Sequence, residues 1–167
     1  MKKQVFSLLV NNNTGLLSRV AGLFSRRGYN IDSITSGTTM DKSRTRITVV
    51  ATGDVQILSQ IEKQLAKLED VIDIKILKDG ESVCRELIML KVKANAAQRA
   101  EIVAVADIFR AKIVDVEQDS LMLEMTGNLS KVEAFLNLMS GYEILELART
   151  GITGLSRGAD GVFDTEA

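Results

Sequence analysis

The spacing of apolar side chains along this chain switches between strand and helix periods in a fixed order. Gln4 to Val10 reads as a strand, and Leu16, Leu17, Val20, Ala21, Leu23 and Phe24 then recur at helical spacing up to a stop at Gly28. Tyr29 to Thr38 is a second strand carrying Ile31 and Ile34, and after a loop around Asp41-Lys42-Ser43 the residues Ile47, Val49 and Ala51 share one face of a third, so the two form a hairpin. Asp54 is placed to cap a second helix, in which Leu58, Ile61, Leu65 and Leu68 fall on one side, and Ile72, Ile74 and Ile76 alternate in a closing strand. The order is βαββαβ, ending at Leu77.

The second half repeats it. Ile88, Leu90 and Val92 share a face of the strand Arg85 to Val92, and a helix with Ile102, Val105, Ala106 and Phe109 follows. Val114 and Val116 mark the next strand, and Leu121, Leu123 and Met125 the one after it. A helix with Val132, Phe135, Leu136 and Met139 then leads through Gly141 to a last strand, Glu143 to Ala148. The predicted fold is therefore α+β, two ferredoxin-like βαββαβ domains in tandem. The expected boundaries are 1–78 for the first domain, 79–84 for a short polar linker, 85–158 for the second domain, and 159–167 for a glycine-containing flexible tail. Each half is small enough for its core to stabilise it only marginally, and an open four-stranded sheet leaves unpaired edges, so self-association as a homodimer is expected.

Composition narrows the chemistry. The chain has no histidine, which removes the commonest general base and metal ligand and every Ser-His or Cys-His nucleophile, so neither catalytic residues nor a metal site are expected. One cysteine, Cys84, excludes an internal disulfide. A net charge of -1 and a pI near 5.6 give no pull toward nucleic acid or an anionic membrane. No apolar run approaches the ~20 residues that span a bilayer, and the run after Met1-Lys2-Lys3-Gln4 is too short for a secretory signal. A cytoplasmic chain without nucleic-acid or membrane partners is expected.

The segment with most chemical content is Asn11-Asn12-Asn13-Thr14-Gly15-Leu16-Leu17, a polar turn between a strand and a helix. Two readings are open. Asn13 or Thr14 simply caps the helix, or the N-H groups of Asn13 to Leu16 hold a ligand carboxylate at the helix start. An α-amino acid would also need oxygen acceptors for its ammonium, such as the carbonyl of Asn12 or of a neighbouring chain's Asn30, and an apolar wall, for which Leu17 and Ile31 are candidates. The second half has Lys93-Ala94-Asn95-Ala96-Ala97 at the same junction, with no glycine loop, and no second amino-acid site is expected there.

Other function classes fit less well. A ferredoxin-like RNA-binding module needs exposed aromatics and basic surroundings, whereas five phenylalanines and two tyrosines are present, and Phe24, Phe109 and Phe135 fall on core positions. Asp115, Glu117 and Asp119 read as solvated positions around a turn, and Gly151, Gly154 and Gly158 lack the spacing of a dinucleotide loop.

Asn12-Asn13-Thr14-Gly15-Leu16-Leu17, the segment Gly22 to Ile31, the run Gln60 to Leu65, Arg85-Glu86-Leu87 and Gly151 to Gly158 resemble the small regulatory subunit of acetohydroxyacid synthase (acetolactate synthase), over nearly the whole chain. The resemblance implies an ACT domain in the first half and a family-specific domain in the second. It also implies a large catalytic subunit as partner, which uses thiamine diphosphate, magnesium and usually FAD to condense pyruvate with pyruvate or 2-oxobutyrate. The small subunit would bind none of these cofactors. It would raise the partner's activity and confer feedback inhibition by a branched-chain amino acid, usually valine, bound between two ACT domains. On that basis Asn12, Gly15, Asn30 and Ile31 occupy effector positions, and Arg85, Glu86, Arg149 and Arg157 are candidates for contact with the catalytic subunit. The chain departs from the family pattern in having Thr45-Arg46-Ile47-Thr48 after an unusual Met40-Asp41-Lys42-Ser43 loop, and in the Asn12-Asn13 pair, where an acidic second residue is common. A free-standing ACT amino-acid sensor acting on another partner is the nearest alternative.

Overall fold

The first strand, β1 (Lys2–Asn11), sends Phe6, Leu8 and Val10 to one face, as the two-residue strand period requires, and all three are fully buried. The structure, a computed structural model, describes residues 1–159 and 161. After β1 come α1 (Leu16–Arg26), β2 (Ile31–Thr38), β3 (Arg44–Gly53), α2 (Val55–Ala66) and β4 (Val71–Leu77). These strands form one antiparallel sheet in the order β2-β3-β1-β4, the ferredoxin-like arrangement expected. Leu16, Val20, Leu23 and Phe24 of α1 and Leu58, Ile61 and Leu65 of α2 pack with Phe6, Leu8, Val10, Ile47, Val49 and Ala51, so both helices cover the same sheet face.

Local chemistry sets the helix ends. The Asp54 carboxylate accepts the Ile57 N-H at 2.8 Å and caps α2 as expected. At the end of α1, Gly28 takes φ 68°, and the Tyr29 N-H returns to the Phe24 carbonyl at 2.9 Å, a Schellman closure. This closure keeps Tyr29 with the helix, its ring edge-on to Phe24 and its hydroxyl donating to Gln60 Oε1 at 2.8 Å. The strand consequently begins at Ile31 rather than at Tyr29.

The second repeat runs β5 (Ser82–Lys93), α3 (Ala96–Phe109), β6 (Lys112–Val116), β7 (Ser120–Gly127), α4 (Leu129–Met139) and β8 (Ile144–Arg149), with sheet order β6-β7-β5-β8. Its core joins Ile88, Leu90 and Val92 to Leu121, Leu123 and Met125 under Ile102, Ala106, Val132, Phe135 and Met139. Phe109 and Phe135 meet edge to face with centroids 5.4 Å apart. A further short strand, β9 (Thr153–Ser156), which the sequence pattern does not announce, pairs with β5.

The chain falls into two compact units, Met1–Val83 together with the described residues from Ile152 onward, and Cys84–Gly151. The expected 79–84 linker is therefore partly strand, since β5 already begins at Ser82. By contacts, the described residues from Ile152 onward group with the first unit. There Ile152 is buried, its N-H pointing to Ser33 Oγ at 3.5 Å, and the Arg157 N-H donates to the Glu81 carbonyl at 2.9 Å. Of the expected 159–167 tail, 160 and 162–167 lie outside the described residues.

Candidate functional site

The loop after β1 is built by tethers to two neighbouring segments. Asn11 N-H donates to the Asp70 carbonyl and Asn12 N-H to the Ser43 carbonyl, each at 2.8 Å. Ser43 is itself fixed, because its hydroxyl and N-H both donate to Asp41 Oδ1, at 2.7 and 2.9 Å, and these bonds hold the Asp41 carboxyl below the usual carboxylate range. The unusual Met40–Ser43 loop thus supports Asn12, whose side chain also donates to the Lys42 carbonyl at 3.3 Å.

No side chain caps α1. The N-cap is Gly15, in the left-handed region at φ 79°, and it has no capping side chain. This answers the simpler of the two sequence readings, in which Asn13 or Thr14 is only a cap. The Asn13 side chain turns away and donates to Asp70 Oδ1 at 2.9 Å. The Asn13 and Leu16 N-H groups are bonded within the loop, to Asn11 O at 2.9 Å and Asn13 O at 3.3 Å. The Thr14 and Gly15 N-H groups have no acceptor among the described residues. Of the candidate walls, Leu17 is 49% exposed beside this open turn, whereas Leu16 is buried in the core.

Arg19 and Asp70 complete the loop, and neither stood out in the sequence. Arg19 Nε lies 2.6 Å from Asp70 Oδ2, while its Nη1 donates to the Thr14 carbonyl at 3.1 Å. The Arg19 guanidinium and then the Asn13 amide hold the Asp70 carboxyl below its ordinary value. A signal was available: in an antiparallel β1–β4 pair the end of β1 meets the start of β4, which brings Asp70 to Asn11.

Asn30 and Ile31 are not brought to the loop within one chain. Ile31 pairs with Ala51, and Ala51 with Gln4, at the far end of β1 from Asn11. At ~3.3 Å per residue these ends are roughly 23 Å apart. There the Asn30 amide donates to Asp32 Oδ1 at 3.3 Å, and Ile31 packs against the core.

In the second unit the same junction is closed. Asn95 caps α3, its carboxamide oxygen accepting the Gln98 N-H at 2.9 Å while Gln98 Oε1 accepts the Asn95 N-H at 3.1 Å, a full capping box. Of the four candidate partner contacts, Glu86 and Arg149 pair with each other through two bonds of 2.6 and 3.0 Å, Glu86 being 3% exposed. Arg85 and Arg157 are exposed. Arg157 borders a cleft of about 280 Å³ with Lys75, Lys78, Glu81 and Ser82. Among the described residues no cluster of Cys, Asp or Glu is arranged to hold a metal ion, and no helix is long and apolar enough to cross a membrane.

Comparison with known proteins covers both units. Residues 6–73 match the family model described as the AHAS small subunit-like ACT domain, and residues 85–158 match that for the small subunit of acetolactate synthase. The chain is 48% identical over 156 residues to a Methanothermobacter thermautotrophicus protein named "Probable acetolactate synthase small subunit", with 93% of each chain covered. It is 44% identical over 161 residues, 96% of each chain, to the acetolactate synthase small subunit of Mycobacterium bovis. The crystal structure of the acetolactate synthase small subunit from Thermotoga maritima superimposes with a TM-score of 0.87 at 38% identity, covering 96% of this chain and all of that one.

Proposed function

The chain belongs to the family of acetolactate synthase small subunits, non-catalytic chains of a holoenzyme, and we propose that its first unit is the sensor through which a branched-chain amino acid, with valine as the first candidate, inhibits the catalytic subunit. The observation that carries this reading is the open helix start at Gly15. Thr14 and Gly15 N-H groups without an acceptor among the described residues, a left-handed glycine and the exposed Leu17 stand together there, while the corresponding start in the second unit is sealed by its own capping box. Backbone N-H groups at a helix N-terminus suit a carboxylate, the Asn12 carbonyl suits an ammonium, and Leu17 offers apolar surface to the side chain.

The site needs a second copy of the chain. β2 is one of the two edge strands of its sheet, so a two-fold axis can pair it antiparallel with the β2 of another copy. That operation carries the second copy's Asn30 and Ile31 to the sheet end at which Thr38 pairs with Thr45 and Arg44 with Asn11, the end that bears the loop. The reading thus joins the Asn12 carbonyl, the Thr14 and Gly15 N-H groups and Leu17 to the second copy's Asn30 and Ile31 in one composite site at a homodimer interface, while Asn13 and Leu16, whose N-H groups are bonded within the loop, shape the turn. A role in activating the partner belongs to the same proposal, with the exposed Arg85 and Arg157 as candidate contacts. Thiamine diphosphate, magnesium and FAD would act on the catalytic subunit, with the complex in the cytoplasm. A free-standing sensor is disfavoured by the match of the second unit to the small-subunit family.

The test is acetolactate formation by the cognate catalytic subunit, with and without this chain, across a valine titration. Stimulation by the chain that valine reverses is expected. No complex and no stimulation would overturn the assignment.

A further inference from the structure

We infer that Asp70 is the positioning residue of the effector loop, its single carboxylate fixing Asn13 with one oxygen and Arg19 with the other; the inference rests on the loop being the effector site. Asp70 is 7% exposed, and a buried carboxylate persists only with both oxygens engaged. Here Oδ1 takes the Asn13 amide at 2.9 Å and Oδ2 takes Arg19 Nε at 2.6 Å, while the Asp70 backbone carbonyl takes the Asn11 N-H at 2.8 Å. Arg19 then reaches back to the Thr14 carbonyl at 3.1 Å. One residue at the start of β4 therefore holds both the entry and the exit of a loop that has no helix cap of its own.

The second unit is an internal control. It keeps the backbone scaffold: Lys93 N-H donates to the Glu143 carbonyl at 2.9 Å and Ala94 N-H to the Asp119 carbonyl at 2.8 Å, matching Asn11 to Asp70 and Asn12 to Ser43. It lacks the clamp. The N-cap Asn95 directly follows Ala94, whereas Asn13 and Thr14 separate Asn12 from the N-cap Gly15. Glu143, in the place of Asp70, faces Lys93 Nζ at 3.6 Å. Arg99, four residues after its N-cap as Arg19 is after Gly15, donates instead to the Glu117 and Gln118 carbonyls. The carboxylate clamp accompanies the two added loop residues and is absent where they are absent.

Ordering a flexible loop before the ligand arrives removes that entropy cost from binding. The clamp also fixes a charge. Arg19 is 45% exposed, and its Nη1 lies so close to Gly15 that a Cβ there would sit 3.1 Å from it. An effector carboxylate at the Gly15 turn therefore meets a guanidinium whose direction Asp70 has set.

Calorimetric titration of valine, leucine and isoleucine into the full chain tests this with Asp70→Asn, Arg19→Lys and the double variant, alongside the valine half-inhibition concentration of the holoenzyme. Each single change is expected to weaken binding at least tenfold, and the double no more than the worse single, because the pair acts as one device. Half-inhibition should rise while saturating valine still inhibits fully, a split that a merely destabilised subunit would not give. Asn13→Ala leaves the ion pair intact and serves if Asp70→Asn unfolds; it should weaken binding about threefold. Wild-type affinity in Asp70→Asn, or penalties that multiply in the double variant, would overturn the clamp. A wild-type chain that binds none of the three amino acids would overturn the effector reading itself, and the clamp with it.

Discussion

Gly15 and Asn95 hold the same place in the two repeats, each the N-cap of the helix that follows the first strand, and they end the preceding turn in opposite ways. Asn95 closes its helix with its own side chain, whereas Gly15, at φ 79°, leaves the first turn without a side-chain partner. Two copies of one fold thus differ at the position of the proposed effector site. Gly15→Asp puts a side chain on a left-handed backbone, a strain of about 1–2 kcal/mol, and a carboxylate where the effector's own would sit. Loss of valine inhibition with a modest fall in melting temperature is expected, read from inhibition curves and thermal unfolding; unaltered inhibition would remove the loop from the site.

Asn95→Ala is the matched change in the second unit. Loss of the cap should lower stability by about 1 kcal/mol and leave the valine response alone. Denaturant unfolding and the same inhibition curve measure both, and a shifted valine response would argue for a second effector site.

Much of this was legible in the sequence, for physical reasons. The strand and helix periods record which side chains are buried, so Ile47, Val49 and Ala51, Leu58, Ile61 and Leu65, and Phe135 lie in the cores as the spacing required. The loop announced itself through glycine and asparagine chemistry. Its tertiary partner was legible only through the fold: Asn13 and Asp70 are 57 residues apart and meet because β4 lies beside β1. The return of Ile152 and β9 to the first unit carries no periodic signal, since β9 has four residues. Glu86 and Arg149 stand in the sequence as candidate partner contacts, and the β5–β8 register, in which Ile88 faces Arg149, pairs them with each other.

Ile34 lies at the middle of the free edge strand β2, 36% exposed and paired inward with Val49. Ile34→Lys should leave the unit folded but weaken self-association, since a lysine on an edge strand opposes edge pairing. If the composite site is right, valine binding falls with it. Sedimentation velocity across a concentration series, with a parallel valine titration, checks both; an unchanged dimer would place the interface elsewhere.

Arg149→Ala should act on stability before it acts on any partner. It strands a nearly buried Glu86 carboxylate that now receives two charge-assisted bonds, a loss of ~1–3 kcal/mol, kept to the lower end because Arg149 itself is 39% exposed. Glu86→Gln, which keeps one acceptor, should lose less. Chemical denaturation orders the two, and a larger loss in Glu86→Gln would reject the pairing as the cause.

Acid should loosen the loop around Gly15 before the core gives way. The carboxyls of Asp70 and Asp41 are both held below the ordinary range, Asp70 mainly by Arg19 and Asp41 mainly by the Ser43 hydroxyl. A depressed folded value means that the unfolded chain binds protons first, so the stabilisation is complete above the ordinary aspartate value near ~3.9 and disappears as the pH falls through the folded values below it. At neutral pH the loop is therefore insensitive to small pH changes, and valine affinity measured between neutrality and mildly acidic pH should be flat. Carboxyl NMR titration of wild type should show both groups below the ordinary midpoint. In Arg19→Gln the Asp70 midpoint should climb back while that of Asp41, whose partners are untouched, stays low. Movement of both together would mean that the loop collapses as a whole when the pair is broken, and no movement of Asp70 would mean that the guanidinium is not what holds it.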